Sequence, residues 1–331
     1  MIFVVGSSRS GTTMTGRILN NHKDIFTFNE LHFFEQLTDS ERLKSPLEVS
    51  EAAQIYAKLT DIQAGGFFNP DTQKYLDKSK KIILDIPREC RTAAEVYKLF
   101  VGNTIKEHQK KHGCDQTPRN ALYIDDIFRV MSDSKIIFMV RDPRAVLFSQ
   151  KNRWKRRKYS GYYMPIRETI RTYCNYHPYT IIKLWTAVMK QAKRWENDKR
   201  VMVLKYEDWI NSSHQALARI CNFLEIEYDE KMLHVPYVGS SNVSDREGNT
   251  GISNKSKDAW RNGGLTNAEK YICQKVAAQY MKSWDYQDEA ISIPYLGLFS
   301  QAVIFPLKMT ISILLNLNRV KNLKQAILKR L

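Results

Sequence analysis

Near its start the chain reads Ile2-Phe3-Val4-Val5-Gly6-Ser7-Ser8-Arg9-Ser10-Gly11-Thr12-Thr13, and a helical pattern follows from Met14 to Asn21. Four β-branched or aromatic residues in a row, closed by Gly6, predict a short buried strand. Small residues, one Arg and a Gly-Thr-Thr then open the helix. Strand, tight loop and helix N-terminus in that order present backbone N–H groups and a positive dipole end to an anion. Gly6 and Gly11 would also serve a plain strand–helix turn, so the loop needs support from elsewhere in the chain.

The loop has the outline of the phosphate loop of nucleoside triphosphatases, with altered spacing. Thr12 follows Gly11 where those proteins carry Lys, and the cation stands upstream as Arg9. An upstream cation suits a single 5′-group better than a triphosphate with its magnesium. Outward from the loop, Asp24 to Phe28 predicts a short apolar return leading to Glu30 and His32, the first candidate acid–base residues. Residues 41–60 look helical. Residues 61–80, with Gly65-Gly66, Asn69-Pro70 and a lysine run, predict a surface loop, and Ile82-Ile83-Leu84-Asp85-Ile86-Pro87 predicts a second strand. Ala93, Val96, Tyr97, Phe100 and Ile105 place an apolar stripe on a helix over about 91–111. Cys114 to Asn120 predicts a turn that opens a helix over 121–131.

Lys135-Ile136-Ile137-Phe138-Met139-Val140 is the clearest strand pattern. It runs into Arg141-Asp142-Pro143-Arg144, where Pro143 suits a first helical turn. A long helix is expected near 180–197, then a strand Val201–Leu204 leading to Tyr206-Glu207-Asp208-Trp209. A helix ending at Leu224, a loop-rich segment over 234–264 and a helix near 266–283 complete the pattern. Strands separated by helices predict an α/β fold with a central parallel sheet, whose ligands bind beyond the carboxyl ends of the strands. Both the first loop and Arg141 fall at such ends.

Lys and Arg number 51 against 35 Asp and Glu, a formal net charge of +16, which favours acidic partners without choosing among them. Five scattered cysteines with no C-x-x-C pair imply neither a disulfide framework nor a zinc site, and a reducing compartment is expected. With the first strand beginning at residue 2, no leader or anchor is expected ahead of the fold, and the expected location is cytoplasmic. Sequons occur at Asn211, Asn242 and Asn254. Residues 151–171 carry Lys151, Arg153, Lys155, Arg156, Arg157, Lys158, Arg167 and Arg171 against Glu168. Such a run reads as a solvated loop or as the seat of an electronegative acceptor. It has few stacking aromatics (Trp154, Tyr159, Tyr162, Tyr163), so nucleic acid is not an expected partner.

Several separated motifs together resemble the sulfotransferases that use 3′-phosphoadenosine 5′-phosphosulfate (PAPS). Ser8-Arg9-Ser10-Gly11-Thr12-Thr13 is similar to that family's first loop. Arg141-Asp142-Pro143-Arg144 with Ser149 is similar to its second signature, a strand end with a Ser eight residues beyond the first Arg. Val203-Leu204-Lys205-Tyr206-Glu207-Asp208 resembles its Tyr-Glu-Asp strand end, and Asn254 to Arg261 its late loop before a Trp. The resemblance spans residues 2 to about 264. It implies a phosphate-loop-like sheet flanked by helices over 1–290, with a separate C-terminal tail over 291–331. It further implies PAPS as donor, 3′-phosphoadenosine 5′-phosphate (PAP) as product, and no metal. Implied donor-binding residues are Arg9, Ser10, Gly11, Thr12, Thr13, Arg141, Ser149, Tyr206 and Lys255.

The family's turn before the helix at 121 usually carries a Lys at the leaving-group oxygen, and here Gln116 stands in its place. Gln donates a hydrogen bond but no charge, so Arg9 must supply the charge, or else Arg119 or Arg88 moves in. The resemblance also implies a Glu base about twenty residues beyond the first-loop cation, which is Glu30, with His32 as runner-up. The expected reaction is sulfuryl transfer to a hydroxyl of a carbohydrate or glycolipid. The alternatives are a small-molecule kinase and a non-catalytic nucleotide- or polyanion-binding protein. Finally, Leu296 to Leu317 is largely apolar, and Lys308, Arg319, Lys321, Lys324, Lys329 and Arg330 face no acidic residue after Glu289. This predicts a tail broken at Pro306 that lies on an anionic membrane surface, or one that packs on the protein's own core.

Overall fold

The computed structural model describes residues 1–65, 71–155, 165–235 and 258–316, together with the backbone of the pairs 158–159 and 162–163. Lys255, the sequons at Asn242 and Asn254, Gly66, Asn69-Pro70, the side chains of Arg156, Arg157, Lys158, Tyr159, Tyr162 and Tyr163, and the basic residues from Arg319 onward lie outside the described residues.

The strands are β1 (Ile2–Gly6), β2 (Ile25–Phe28), β3 (His112–Asp115), β4 (Lys135–Val140), the short antiparallel pair β5 (Lys158–Tyr159) and β6 (Tyr162–Tyr163), and β7 (Val201–Lys205). Five of them form one sheet in the order β2-β3-β1-β4-β7, and every pairing in it is parallel. The helices are α1 (Thr12–Asn20), α2 (Val49–Gly65), α3 (Gln73–Leu84), α4 (Ala93–Glu107), α5 (Ile124–Val130), α6 (Pro143–Lys151), α7 (Ile166–Cys174), α8 (Pro178–Trp195), α9 (Tyr206–Asn211), α10 (Ser213–Leu224), α11 (Asn267–Ser283) and α12 (Tyr295–Asn316).

The sheet is buried on both faces, and the side-chain period of two divides its strands between two cores. Phe3 and Val5 of β1 with Ile136, Phe138 and Val140 of β4 join one core, which also takes in α2, α4 and α8. Ile2 and Val4 with Ile137 and Met139 join the other, closed by Trp209 of α9 and Leu217 and Ile220 of α10. Runs of consecutive apolar residues, rather than alternation, are what such two-sided burial demands. Pro143 occupies the first turn of α6, and the Asp142 carboxylate caps that helix on the N–H of Arg144 at 2.8 Å.

Several expectations are corrected. Ile82–Pro87 is not a strand: residues 73–84 form α3, with Ile83 buried and Leu84 on the solvent side. A six-residue apolar run has no period of its own to separate helix from strand. The expected loop over 61–80 instead holds the end of α2 and most of α3, which pack together as a hairpin. Conversely, Asp24–Phe28 and the turn at Cys114 contain the strands β2 and β3, each four residues long. Gly113 inside β3 hides the pattern from any propensity argument. The basic run is no continuous loop, because α7 occupies its second half and Arg171 there is paired with buried Glu168 at 2.8 Å. Nor does Pro306 break the C-terminal helix, since α12 passes through it.

Candidate active site

The carboxyl ends of β1, β4 and β7 bring the first loop, Arg141 and Tyr206 into direct contact. The loop leaves β1 at Gly6 and enters α1 through Gly11, whose φ is +93°. A Cβ at Gly11 would lie 2.6 Å from Cδ2 of the Tyr206 ring, so both the backbone angle and the ring require glycine. Arg9 also has a positive φ, 76°, unusual for a residue with a side chain and a sign of a loop held by its surroundings. What holds it is visible. The Arg9 Nε donates to Ser149 Oγ at 2.9 Å, and its carbonyl accepts from Arg141 Nη1 at 2.7 Å. The Arg141 guanidinium in turn lies over the Tyr206 ring, 4.0 Å from its centroid.

Four residues from three separate parts of the chain thus form one connected group around the N-terminus of α1. Ser10 and Thr12 are buried, Thr13 and Gly11 half-buried, and Ser10 Oγ has no hydrogen-bond partner among the described residues. A buried hydroxyl without a partner at a helix N-terminus is a donor waiting for an anion.

A supporting layer that sequence reading missed lies beneath. The Trp185 indole donates to the Arg141 carbonyl at 3.0 Å. Glu207 accepts from the Asp142 N–H at 3.1 Å and from the Tyr286 hydroxyl at 2.9 Å. Burial pushes the Glu207 carboxyl above its ordinary value despite those hydrogen bonds. On the far side, Asp142 grips the guanidinium of buried Arg144, which stacks on Trp260.

The second part of the site follows β2. Glu30 Oε2 is 3.5 Å from His32 Nε2, and His32 Nδ1 is 3.6 Å from Glu35 Oε2. Glu35 also accepts a short hydrogen bond from Arg119. The sequence pointed to Glu30 and His32 but not to Glu35, and it offered Arg119 only as a stand-in for the family's Lys. A single carboxylate in Phe33-Phe34-Glu35, on a turn of π-helix over Phe33–Leu37, was the available signal, because an acid among buried aromatics needs a cation.

The electrostatics order the three groups. Burial works against charge at Glu30, but the hydrogen bond and charge of His32, with Arg153 and Arg9 nearby, outweigh it and hold the carboxyl below its usual range. Burial would lower His32, yet its two carboxylate neighbours raise it to about 9. Arg119 and His32 keep Glu35 ionised well below the ordinary carboxylate range, against its burial. At neutral pH the arrangement is therefore carboxylate, imidazolium, carboxylate, guanidinium, alternating in sign. Of the two carboxylates and the imidazole, Glu30 is the most exposed, with 31% of its side chain accessible against 16% for His32 and 10% for Glu35.

Behind this chain, Asp115 at the end of β3 accepts from Tyr97, Thr117 and Asn120, which fixes the turn that carries Gln116. Gln116 Oε1 is buried and has no partner among the described residues. Of the two cations offered as stand-ins for the Lys, Arg119 is paired with Glu35, and Arg88 lies at the surface on Glu48. Among the described residues no group of three His, Cys, Asp or Glu is arranged to hold a metal ion. All five cysteines are free.

Residues 2–230 match the sequence model described as the sulfotransferase family. A putative protein-tyrosine sulfotransferase of Caenorhabditis briggsae is 29% identical over 242 residues, covering 71% of this chain and 68% of that protein. A second protein of that description, from Caenorhabditis elegans, is 25% identical over 163 residues, 46% of this chain and 58% of its own length. Among solved structures, the sulfotransferase domain of the Synechococcus PCC 7002 olefin synthase superposes with a TM-score of 0.55 at 21% identity, over 87% of this chain and 95% of that one, and so shares the fold. The family match begins at β1 and runs past β7, across the loop and strand ends that meet around Arg9, and on that ground the chain belongs to the sulfotransferase family.

Proposed function

We propose that this chain transfers the sulfuryl group of PAPS to an acceptor hydroxyl, releasing PAP, with protein tyrosine as the first acceptor class to consider. The observation that carries the donor half is the contact of Arg9, Ser149, Arg141 and Tyr206 at the N-terminus of α1. The residues fit a nucleotide with phosphate groups at both ends. Unpartnered buried Ser10, the N–H groups of Thr12 and Thr13 and the Arg9 guanidinium suit a 5′-group, while Arg141 and Ser149 suit a 3′-phosphate, and Tyr206 offers a ring face nearby. When bound, the donor supplies a sulfuryl group on a phosphate leaving group.

The chain's own part is positioning and charge. Arg9 and the α1 N–H groups neutralise negative charge at the loop. Gln116 offers an amide hydrogen bond without a charge, which leaves Arg9 as the main cation there. Glu30, ionised and half-exposed, takes the proton of the acceptor hydroxyl at its carboxylate oxygen. His32, already protonated, is no base. It holds the Glu30 carboxylate in place, and Glu35 holds His32.

The tyrosine assignment rests on the two nematode relatives, whose description names that acceptor, and on the net charge of +16, which suits an acidic peptide. The carbohydrate or glycolipid acceptor expected from sequence belongs in the same test. Purified protein is offered radiolabelled PAPS with a tyrosine peptide flanked by acids, the same peptide with Phe for Tyr, a sugar panel and a glycolipid, and in parallel ATP labelled at its γ-phosphate. Label on the tyrosine peptide alone supports the reading. Label on sugar or glycolipid alone replaces the acceptor and keeps the donor. Transfer from ATP but not PAPS would overturn the donor.

A further inference from the structure

α12 is built inside out for a helix on a water-facing surface. The side it turns to the protein carries its polar groups, alongside Phe305. Lys308 Nζ donates to the Tyr176 carbonyl at 3.0 Å, Ser312 Oγ and Asn316 Nδ2 both reach Asn175 Oδ1, at 2.7 and 2.9 Å, and Arg171 donates to Asn316 at 3.1 Å. The side it turns outward is apolar. Leu296 is 88% exposed, Phe299 71%, Val303 57%, Leu307 63% and Leu314 63%, a stripe at spacings of three, four and seven residues. In a soluble surface helix the hydrophobic effect arranges these faces the other way round.

The neighbouring helix continues the stripe. Ile166, Ile170 and Tyr173 stand outward along α7 at spacings of four and three, with Ile166 80% exposed, and α12 packs directly against this helix. The seating is specific. A Cβ on Gly297 would come within 2.8 Å of Ala268 Cβ on α11, and Phe305 packs on the rings of His177 and Tyr179. An apolar patch spread over two helices exceeds the scattered exposed side chains of an ordinary surface.

We infer that the outer faces of α12 and α7 form a docking surface for an anionic lipid bilayer, on which the protein lies without crossing it. Charge selects this occupant. From residue 290 to the end the chain has six basic residues and no acidic one, so the apolar stripe runs into a segment that anionic headgroups attract. Among the described residues α12 is the one helix long and apolar enough to span a membrane. Crossing would require it to give up four side-chain hydrogen bonds to the body of the protein and to carry Lys308 into hydrocarbon. Lying flat keeps both.

The surface also borders the acceptor side. Trp154 stacks edge-on against Tyr173 at 5.6 Å, and its neighbour Arg153 acts on the charge of Glu30. Docking is independent of which acceptor is used, so its test does not involve turnover.

The full-length protein is floated with vesicles of phosphatidylcholine alone and of phosphatidylcholine with phosphatidylglycerol, at low and high salt. Binding to the anionic vesicles, weakened by salt and released by alkaline carbonate, is expected. The variant Leu296→Ser/Phe299→Ser/Leu307→Ser, checked for an unchanged melting temperature, should bind at least about tenfold more weakly. Since all three positions are exposed, the fold should survive. Wild-type protein that ignores both vesicle types overturns the proposal. So does a triple variant that binds like wild type, or retention after carbonate, which would mean a spanning helix. Light scattering supplies the last arm: a dimer that the triple substitution dissociates would assign the surface to a second copy instead.

Discussion

At the scale of single residues the site turns on Glu30 and its neighbours. Glu30→Gln keeps size and hydrogen bonding but cannot accept a proton, so turnover should fall by about 10²- to 10⁴-fold with donor affinity unchanged. If Glu30→Gln keeps the wild-type rate while His32→Ala is dead, the base is His32. Arg141→Ala removes a cation that braces the Arg9 carbonyl and faces the nucleotide site. Binding of PAP by calorimetry should weaken by about 1.5–3 kcal/mol, and unchanged affinity in a folded variant removes the assignment. The His32 imidazolium also leaves a mark on stability. Its folded value of about 9 lies above the ordinary imidazole value of about 6.5, so its contribution is complete below pH 6.5 and is lost as pH rises through 9. Melting temperatures of wild type and His32→Gln should therefore differ most near pH 6 and converge above pH 9. A constant difference across that range would mean that His32 acts through packing alone.

At the scale of elements the first loop depends on one backbone angle. Gly11→Ala places a Cβ at φ +93° and against Tyr206, costing about 1–2 kcal/mol for the angle and more for the clash. Since α1 and β1 are buried, their secondary structure should persist by circular dichroism while donor binding is lost. Normal donor binding by this variant would show that the loop has another working shape. Element type was legible where apolar runs were long or bounded by clear signals, as in β1, β4, α6 and α11. It failed at β2, β3 and α3, where four to six residues carry no distinguishing period and the pairing partner decides. β3 contains Gly113 and is a strand because β1 and β2 hold it on both sides.

At the scale of the molecule, the parallel sheet sets the chemistry by gathering five strand ends on one edge. β4 leads into Arg141 where a phosphoryl-transfer enzyme would place a metal-binding acid, and under the proposed function Arg9 with the α1 N–H groups provides the charge. Activity with PAPS is accordingly expected to be unchanged in EDTA. Loss of activity there, restored by Mg²⁺, would show that a divalent cation takes part.

The sequence by itself determined the family and the central parallel sheet, and it singled out the first loop and Arg141 to Ser149, which the fold brings into contact. It could do so because a phosphate site is made largely of backbone at a helix N-terminus, and the glycines, small residues and arginines it requires are contiguous in the chain. Only the tertiary structure decided the rest. The sequence already ranked Glu30 before His32 as the base, but it could not show that Glu35 and Arg119, 84 residues apart in the chain, join His32 in an alternating row of charges that raises the imidazole to about 9. The C-terminal helix likewise could not be oriented from its composition. Which of its faces meets the protein depends on Asn175, Tyr176 and Ala268, more than a hundred residues away in two cases, and the polar groups of the first two draw in Lys308, Ser312 and Asn316 and leave Leu296, Leu307 and Leu314 outside.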